Sequence, residues 1–233
     1  DLEGLQLWED HWLMKFNVSK CSIMRITNSK KPFIFRYTLH DQEMEIVSDS
    51  KYLGVTLESN LKFHNHIRSI SSKANRTLGV LKRNLQSSSE SIREWAYLSL
   101  VRPQLEYSCT VWHPHAKMDK VELDKVQNRA ARYVTNRYHD RSSVSNMIEH
   151  LNWESLESRR IKFRMLMAYK AFHGLVQFPI NDYIRLSSAR TRGSAHPFKI
   201  ILPQVKLDCY KYSFIPHFGI HWNILPVNLV TAP

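Results

Sequence analysis

The chain has 233 residues, of which 43% are apolar and 23% are charged, a composition that is typical of a folded globular protein and argues against general disorder. Its 33 Lys and Arg against 21 Asp and Glu give a formal net charge of +12, which favours a polyanionic partner, nucleic acid before an anionic membrane surface. Its three cysteines are far apart and no apolar run reaches the roughly 18 residues of a membrane span, which argues against a disulfide framework, a cysteine zinc site and a membrane protein.

The first part of the chain is predicted to mix one helix with short strands. Apolar residues recur at steps of three and four from Leu2 to Phe16, which predicts an amphipathic helix. Four short extended segments are predicted after it, the first two paired as a hairpin: 22–26, 33–39, 44–47 and 52–57.

A long amphipathic helix is predicted from Leu61 to Leu85, where apolar residues form an unbroken stripe. At 3.6 residues per turn, four cations project from the side opposite that stripe: Lys62, Lys73, Arg76 and Arg83. No acid lies between Glu58 and Glu90, so these cations have no carboxylate one turn away. We interpret the basic side as a phosphate-binding face; the alternative is an ordinary solvated surface.

Three further helical regions are predicted. The first is capped by Ser87 with Glu90 at the capping-box spacing, and Pro103 kinks or ends it and can begin another helix. The second, 121–138, buries one apolar stripe while four polar side chains face away: Lys125, Arg129, Arg132 and Asn136. The third, 156–172, carries apolar residues around its whole axis, which indicates packing on two sides.

A short helix capped by Ser142 or Ser143 is predicted before 156–172. Beyond Gly174 the prolines predict little helix, with short extended pieces at 198–202 and 210–215 and a mobile linker at 187–194.

The residues do not reveal a catalytic constellation. No pair of carboxylates suited to a two-metal polymerase stands out, and there is neither a Walker loop nor a GxGxxG motif. Three histidine pairs have a spacing that ligands can use, but none has a recognisable third ligand, so no metal site is predicted: His64 and His66, His113 and His115, His217 and His221.

The aromatic residues are assigned mainly to the core. Trp8, Trp12, Trp95 and Phe163 lie on apolar stripes, so we expect them to be buried. Three tyrosines near basic residues are candidate platforms for base stacking: Tyr52, Tyr133 and Tyr138.

Several motifs, in order, resemble the reverse transcriptases of non-LTR retrotransposons, the LINE and jockey-like elements. The opening WLMKFNVSKC (12–21) resembles the segment after the catalytic YADD or FADD box, and KYLGVTLESNLKFHNHI (51–67) resembles the primer-grip turn and its run into the thumb. Three further segments resemble the helical region that follows in these reverse transcriptases: LVRPQLEYSCTVWHP (100–114), KVQNRAARYV (125–134) and LNWESLESRR (151–160). The likeness runs to about Tyr169 and returns at SFIPHFGIHWNILP (213–226).

The resemblance implies roles for individual residues. Lys20 matches the lysine that is thought to protonate the pyrophosphate leaving group, which suits an ammonium beside a departing phosphate. Tyr52, Leu53 and Gly54 match the primer-grip turn, where glycine lets the backbone approach the primer closely. The helix from Leu61 would be the thumb, lying along the heteroduplex.

The resemblance also implies what should be missing. The magnesium-binding aspartates should precede Asp1, so we expect no polymerisation by this chain alone and no cofactor in it, Mg²⁺ belonging to the full polymerase. RNA, an RNA–DNA hybrid and the fingers and palm of the parent polymerase are the expected partners, in the nucleus and cytoplasm, with no membrane partner.

The predicted fold is mainly α with a small α+β amino-terminal part built on short antiparallel strands. Its predicted regions are a palm remnant (1–58), thumb-like helices (59–113), a helical connector (114–178) and an irregular Pro-rich segment (179–233). Template and primer would be bound through Lys62, Lys73, Arg76, Arg83, Arg129 and Arg132. Two alternatives stay open: a recruited helical module that binds protein, and a decayed copy with no activity.

Overall fold

The computed structural model of the chain describes residues 2–27, 29–138, 143–187 and 198–231. Mainly helical with a few short strands, the chain forms two compact units that divide between Phe63 and His64. None of the described helices combines the length and the apolar character that crossing a bilayer requires.

The described residues of the first unit form one α-helix and six short strands. Helix α1 is Leu2–Trp12 and a 3₁₀ turn spans Val18–Lys20. The strands are β1 (Ser22–Met24), β2 (Thr38–Leu39), β3 (Gln42–Glu43), β4 (Glu45–Val47), β5 (Asp49–Tyr52) and β6 (Val55–Glu58). They pair as three separate ribbons, β1 with β4, β2 with β3, and β5 with β6.

Helix α1 ends earlier than the sequence predicts because the chain turns back on itself. Leu13 has a left-handed backbone (φ 54°), and the carboxylate of buried Glu9 accepts the backbone N–H of Phe16. The same carboxylate contacts His40 Nε2 at 2.7 Å. A buried acid therefore closes the helix end, a contact that apolar spacing does not reveal.

Two predictions about the strands are wrong. β1 pairs with β4 in parallel, Ile23 opposite Ile46, whereas no pairing between 22–26 and 33–39 is found among the described residues. The single strand expected at 52–57 is the turn and second arm of a hairpin, in which Tyr52 pairs with Val55 in antiparallel register. Short apolar runs carry too little pattern to fix their pairing partners.

The second unit is helical. Its longer helices are α2 (His64–Asn84), α3 (Glu90–Ala96), α5 (Lys117–Thr135), α6 (Val144–His150), α7 (Leu156–Phe172) and α10 (Phe214–Trp222). Four single-turn helices lie among them: α4 (Cys109–Trp112), α8 (Ile180–Tyr183), α9 (Asp208–Lys211) and α11 (Val227–Val230). Ser143 caps α6, its side chain accepting the N–H of Ser145.

The core of this unit is formed where α2 packs on α5. From α2 the predicted Ile67, Ala74, Leu78 and Leu81 are buried, whereas Ile70 and Leu85 are half-buried. From α5 the predicted Leu123, Val126, Ala130 and Val134 are all fully buried. The sequence predicts the buried faces of α2 and α5 well because both helices are long and strongly periodic.

The helix after α2 changes its winding. Ser89, not Ser87, is the N-cap of α3, and α3 continues into a π-helical turn at Tyr97–Val101 and a 3₁₀ turn at Arg102–Leu105. Pro103 accounts for the change, because it cannot donate an intrahelical hydrogen bond. The prediction was that the helix ends or kinks at Pro103, and the α-helical winding does end before this proline, at Ala96.

The carboxyl-terminal region is more helical than the sequence predicts. Residues 210–215, expected to be extended, lie in α9 and at the start of α10. Apolar side chains from this region close a second core against α7, among them Ile180, Phe218 and Trp222. The expected packing of α7 on two sides is confirmed, by α4 and α5 as well as α10. Most of the predicted linker at 187–194 lies outside the described residues.

The aromatic residues that the sequence predicts to be buried lie at the surface instead. Trp8, Trp12, Trp95 and Phe163 are 41%, 59%, 73% and 36% exposed. Trp112 and Trp222 are buried instead, at 0% and 1% exposed. Each of the two donates its indole N–H to a backbone carbonyl, of Tyr107 and Phe198 respectively.

Candidate nucleic-acid interface

Helix α2 presents a row of arginines along one side. Its sequence holds five Lys and Arg and no Asp or Glu. Arg68, Arg76 and Arg83 are eight and seven residues apart, so they project on the same side of the helix within about 80° of one another. All three are exposed, and together with Glu122 of α5 they line one cleft.

Lys73 and Lys62 do not lie in this row of arginines. Lys73 is exposed on the flank of α2 away from Arg68, about 140° around the axis. Lys62 is not on the helix, because Leu61 and Phe63 have left-handed backbones (φ 56° and 60°) and α2 begins only at His64. The prediction that Lys62 belongs to the helical face is therefore wrong.

Helix α5 adds two predicted cations beside α2. Arg129 and Arg132 are exposed, as the sequence predicts. The Arg129 guanidinium donates to Asn75 Oδ1 on α2 at 3.0 Å. This bond holds one cation of α5 against the polar flank of α2.

A second cleft between the two helices shares Asn75 and Gly79 with the first, and we call the two clefts together the α2–α5 groove. The second cleft has a volume of about 310 Å³, and it is lined by Asn75, Leu78, Gly79, Lys82, Arg129, Arg132, Tyr133 and Tyr138. Lys82 Nζ lies 4.0 Å from the centre of the Tyr138 ring, a cation–π contact. Lys82 and Asn75 were not predicted as site residues, although the wheel of α2 places them on the flank toward α5.

Of the three candidate stacking tyrosines, one is excluded by its position. Tyr133 is 3% exposed and its hydroxyl donates to the Leu81 carbonyl, so it cannot receive a base. Tyr138 and Tyr52 are 38% and 66% exposed. Tyr138 lies at the groove, one turn beyond the end of α5.

The groove cations are not neutralised within the part of the chain that the structure describes. There, none of Arg76, Arg83, Arg129 and Arg132 forms an ion pair, while Glu122 is paired with Lys125 at 3.3 Å. Unpaired guanidinium groups at a concave surface concentrate positive potential and attract phosphate.

A buried arginine fixes the end of the groove. Arg93 of α3 is 8% exposed, and its Nε donates to the Val134 carbonyl at 3.0 Å. Val134 lies in the last turn of α5, whose carbonyls have no intrahelical partner. A cation at this end also opposes the negative pole of the helix.

The first unit carries the other predicted site residues. Lys20 is exposed and ends the 3₁₀ turn that Asn17 caps, Asn17 Oδ1 accepting the N–H of Ser19 at 3.0 Å. Tyr52, Leu53 and Gly54 form the tip of the β5–β6 hairpin, as expected for a turn, and all three are exposed. Leu53 and Gly54 have φ of 46° and 86°, the signature of a type I′ turn.

The histidine pairs considered for metal binding have other partners. His64 Nδ1 lies 2.7 Å from Asp119 Oδ2, and His115 stacks on Tyr212 with the ring centres 4.6 Å apart. Among the described residues no group of three or more His, Cys, Asp and Glu side chains could hold a metal ion. His113 and His217, far apart in sequence, do meet, with 4.8 Å between ring centres.

Burial controls the chemistry of this pair. Desolvation, aided by the nearby Arg164 charge, lowers the pKa of His113 to about 2 and that of His217 to about 4. Both imidazoles are therefore neutral at physiological pH.

The chain is similar to a protein encoded by a transposon. It is 26% identical over 138 residues to a protein of Drosophila melanogaster described as a probable RNA-directed DNA polymerase from transposon BS. The match covers 58% of this chain but 15% of that protein, so the chain spans a small part of its relative.

Two other comparisons return nothing. No protein-family model matches the chain. No solved structure matches it. The 26% identity with the transposon protein is thus the finding that relates the chain, distantly, to a transposon-encoded RNA-directed DNA polymerase.

Proposed function

We propose that this chain is the template-and-primer-gripping part of a non-LTR retrotransposon reverse transcriptase, with α2 as its thumb helix. The observation that carries the proposal is the α2–α5 groove, in which Arg129 and Arg132 of one helix face Lys82 of an acid-free helix. The distant similarity to a transposon RNA-directed DNA polymerase supports the same reading.

The groove suits a sugar-phosphate backbone. Guanidinium groups donate paired hydrogen bonds to phosphate oxygens, and a row of them follows a chain of phosphates without reading its sequence. Arg76 and Arg83 are seven residues apart, which is about 10 Å along the axis of α2. Two arginines at that separation can contact phosphates in the same strand.

The β5–β6 hairpin is the proposed primer grip. Its tip offers an exposed Tyr52 ring and a compact backbone at Gly54 that can approach a sugar closely. Lys20 is proposed as the general acid of the complete polymerase.

A salt titration with matched variants tests the groove. Affinity for a labelled RNA–DNA hybrid is measured by fluorescence anisotropy between about 50 and 200 mM salt. Replacing Arg76, Arg83 and Arg132 with Glu should weaken binding and reduce the slope of log K against log salt by about two to three, one increment per lost phosphate contact.

The control variant changes the net charge equally elsewhere. Lys170, Lys206 and Lys211 are exposed in the same unit, away from the groove lining, and their replacement with Glu should leave most of the slope intact. If both triple variants lose the same slope, net charge alone drives binding and the groove has no special role. If neither does, binding is not electrostatic, as expected for a recruited protein-binding module.

The chain by itself is proposed to bind without polymerising, in the nucleus and cytoplasm where an element's RNA is found. Incubating it with a primed RNA template, Mg²⁺ and deoxynucleotides should give no extended primer. Extension of the primer by the pure chain would refute this.

A further inference from the structure

Two arginines on successive turns of α7 are buried. Arg160 and Arg164 are 0% and 1% exposed. Within the part of the chain that the structure describes, the Nε, Nη1 and Nη2 atoms of both side chains have no hydrogen-bond partner. Burying such a charge is costly unless acceptors with compensating charge surround it.

The surroundings of Arg164 do not provide that charge. Its guanidinium lies 5.5 Å from the centre of the Phe214 ring on α10. Among the described groups, the one that favours its charged form is the Cys109 thiol, and burial raises the pKa of that thiol to about 11. The thiol is therefore neutral at physiological pH, while Arg164, with its pKa lowered by burial to about 10, stays cationic.

Arg160 is better balanced but still unbonded. The carboxylates of Asp124 and Glu157 favour its charged form, although burial lowers its pKa overall. Glu157 is already bound by Lys120 at 2.6 Å. The negative charge near the two guanidinium groups, among the described residues, is thus smaller than their combined positive charge.

Two neutral imidazoles, His113 and His217, lie near Arg164. The rings of His113 and His217 lie close enough to Arg164 for its charge to oppose their protonation. The Nδ1 atoms of both rings are buried and, within the described residues, also have no hydrogen-bond partner. In the tautomer that carries hydrogen on Nδ1, each ring can donate one further bond.

We propose that Arg160 and Arg164, with His113 and His217, form a buried site for a tetrahedral oxyanion of the phosphate class. Each planar guanidinium can bond two oxygens of one such ion, and the imidazoles can bond the rest. The ion would join α4, α7 and α10 in the way that a structural metal joins its ligands. This site is separate from the α2–α5 groove and does not depend on nucleic-acid binding.

Thermal melting of the whole chain in two salts tests the site. The protein is unfolded and refolded in either sodium phosphate or sodium chloride at equal ionic strength and pH, and then melted. Phosphate at about ten times its dissociation constant should raise the melting temperature by about 3 to 6 °C relative to chloride. Broadening of the ³¹P resonance of phosphate by the protein provides a direct measure of binding.

Two variants of α7 make the result specific. Arg164→Met removes the uncompensated charge, so in chloride the variant should melt higher than the natural chain, and phosphate should add nothing to it. Lys162→Gln, an exposed position between the two arginines that is paired with Glu154, should keep the full phosphate effect. The triple groove variant should keep it as well, which separates this site from phosphate bound in the groove.

Three results would overturn the proposal. The first is equal melting of the natural chain in phosphate and chloride. The second is an equal phosphate gain in Arg164→Met, which would mark surface binding. The third is a ³¹P signal that is unchanged by the protein.

Discussion

The side-chain amide of Asn223 forms hydrogen bonds with both backbone groups of Ile200 in the carboxyl-terminal region. Its Oδ1 accepts the Ile200 N–H at 2.8 Å and its Nδ2 donates to the Ile200 carbonyl at 2.9 Å. Ile200 is 3% exposed, so water cannot replace these bonds. Asn223→Ala should therefore lower the free energy of unfolding by about 2 to 4 kcal/mol, measured by urea denaturation.

The matched change at that position is Asn223→Asp, which keeps the acceptor and loses the donor, and it should fall between the natural chain and Asn223→Ala. Asn84→Ala removes an exposed amide that bonds the Val80 carbonyl, and should change stability by less than about 0.5 kcal/mol. Equal losses of stability in Asn84→Ala and Asn223→Ala would contradict the role given to the two Asn223–Ile200 hydrogen bonds.

Leu53 is an unfavourable residue for its own turn. The first position of a type I′ turn needs a left-handed backbone, which asparagine adopts more easily than leucine. Leu53→Asn should therefore stabilise the β5–β6 hairpin by about 0.5 to 1 kcal/mol, seen as slower amide exchange of Lys51 and Val55.

The same variant should also weaken hybrid binding if the leucine at the hairpin tip touches the primer. Leu53→Met, which keeps an apolar side chain, serves as the control. Tighter hybrid binding by Leu53→Asn would contradict the primer-grip proposal.

Single residues on long helices were the most predictable part of the candidate site. Arg76, Arg83, Arg129 and Arg132 are exposed as expected, because periodicity alone fixes their sides of the helix. Arg160 and Arg164 could not be recognised as buried, because their burial comes from α4 and α10, which are distant in sequence. Apolar spacing likewise could not separate the exposed Trp95 from the buried Trp112.

At the scale of elements, Arg93 determines how α5 ends. The bond from Arg93 to the Val134 carbonyl joins α3 to the last turn of α5, just before the C-cap Asn136. Arg93→Met should lower the free energy of unfolding by about 1 to 3 kcal/mol, since it leaves a buried carbonyl unsatisfied. It should also weaken hybrid binding, because Arg132 and Tyr138 lie on either side of that turn.

Arg137→Met is the control for Arg93, because Arg137 is an exposed arginine after the same helix end. Unfolding in urea and hybrid affinity should both be close to those of the natural chain. A larger stability loss for Arg137→Met than for Arg93→Met would contradict the role given to the bond to Val134.

Helices were predicted better than strands because of how their hydrogen bonds form. Those of α7 are local, and its predicted bounds, 156–172, are the observed ones. The bonds of β1 reach β4, whose paired residues are 23 positions further along the chain, and neither strand exceeds three residues. A pattern of that length cannot specify a partner, which is why a parallel pair was missed.

At the scale of the whole molecule, His113 and His217 should make stability depend on pH. Their pKa values are lowered in the folded chain but are near 6.5 when it is unfolded. Below pH 6.5 the unfolded chain therefore binds protons that the folded chain does not. Stability is fully present above pH 6.5 and falls by up to about 1.4 kcal/mol per pH unit for each histidine.

Urea denaturation between pH 7.5 and about 5 measures this loss, in a buffer free of phosphate. His113→Gln should remove about half of the slope, whereas His150→Gln, which replaces an exposed imidazole, should not. A slope that is unchanged in His113→Gln would show that other groups govern the acid sensitivity.

The double-sided packing of α7 makes α10 part of the fold of the second unit. A premature stop codon after Phe178 would remove Phe218 and Trp222, and the faces of Ala168 and Ala171 that they cover would meet water. A truncated translation product would then be open to proteases, although all the groove residues are still encoded. On the proposed function, selection for RNA binding would therefore maintain the reading frame well beyond the groove residues.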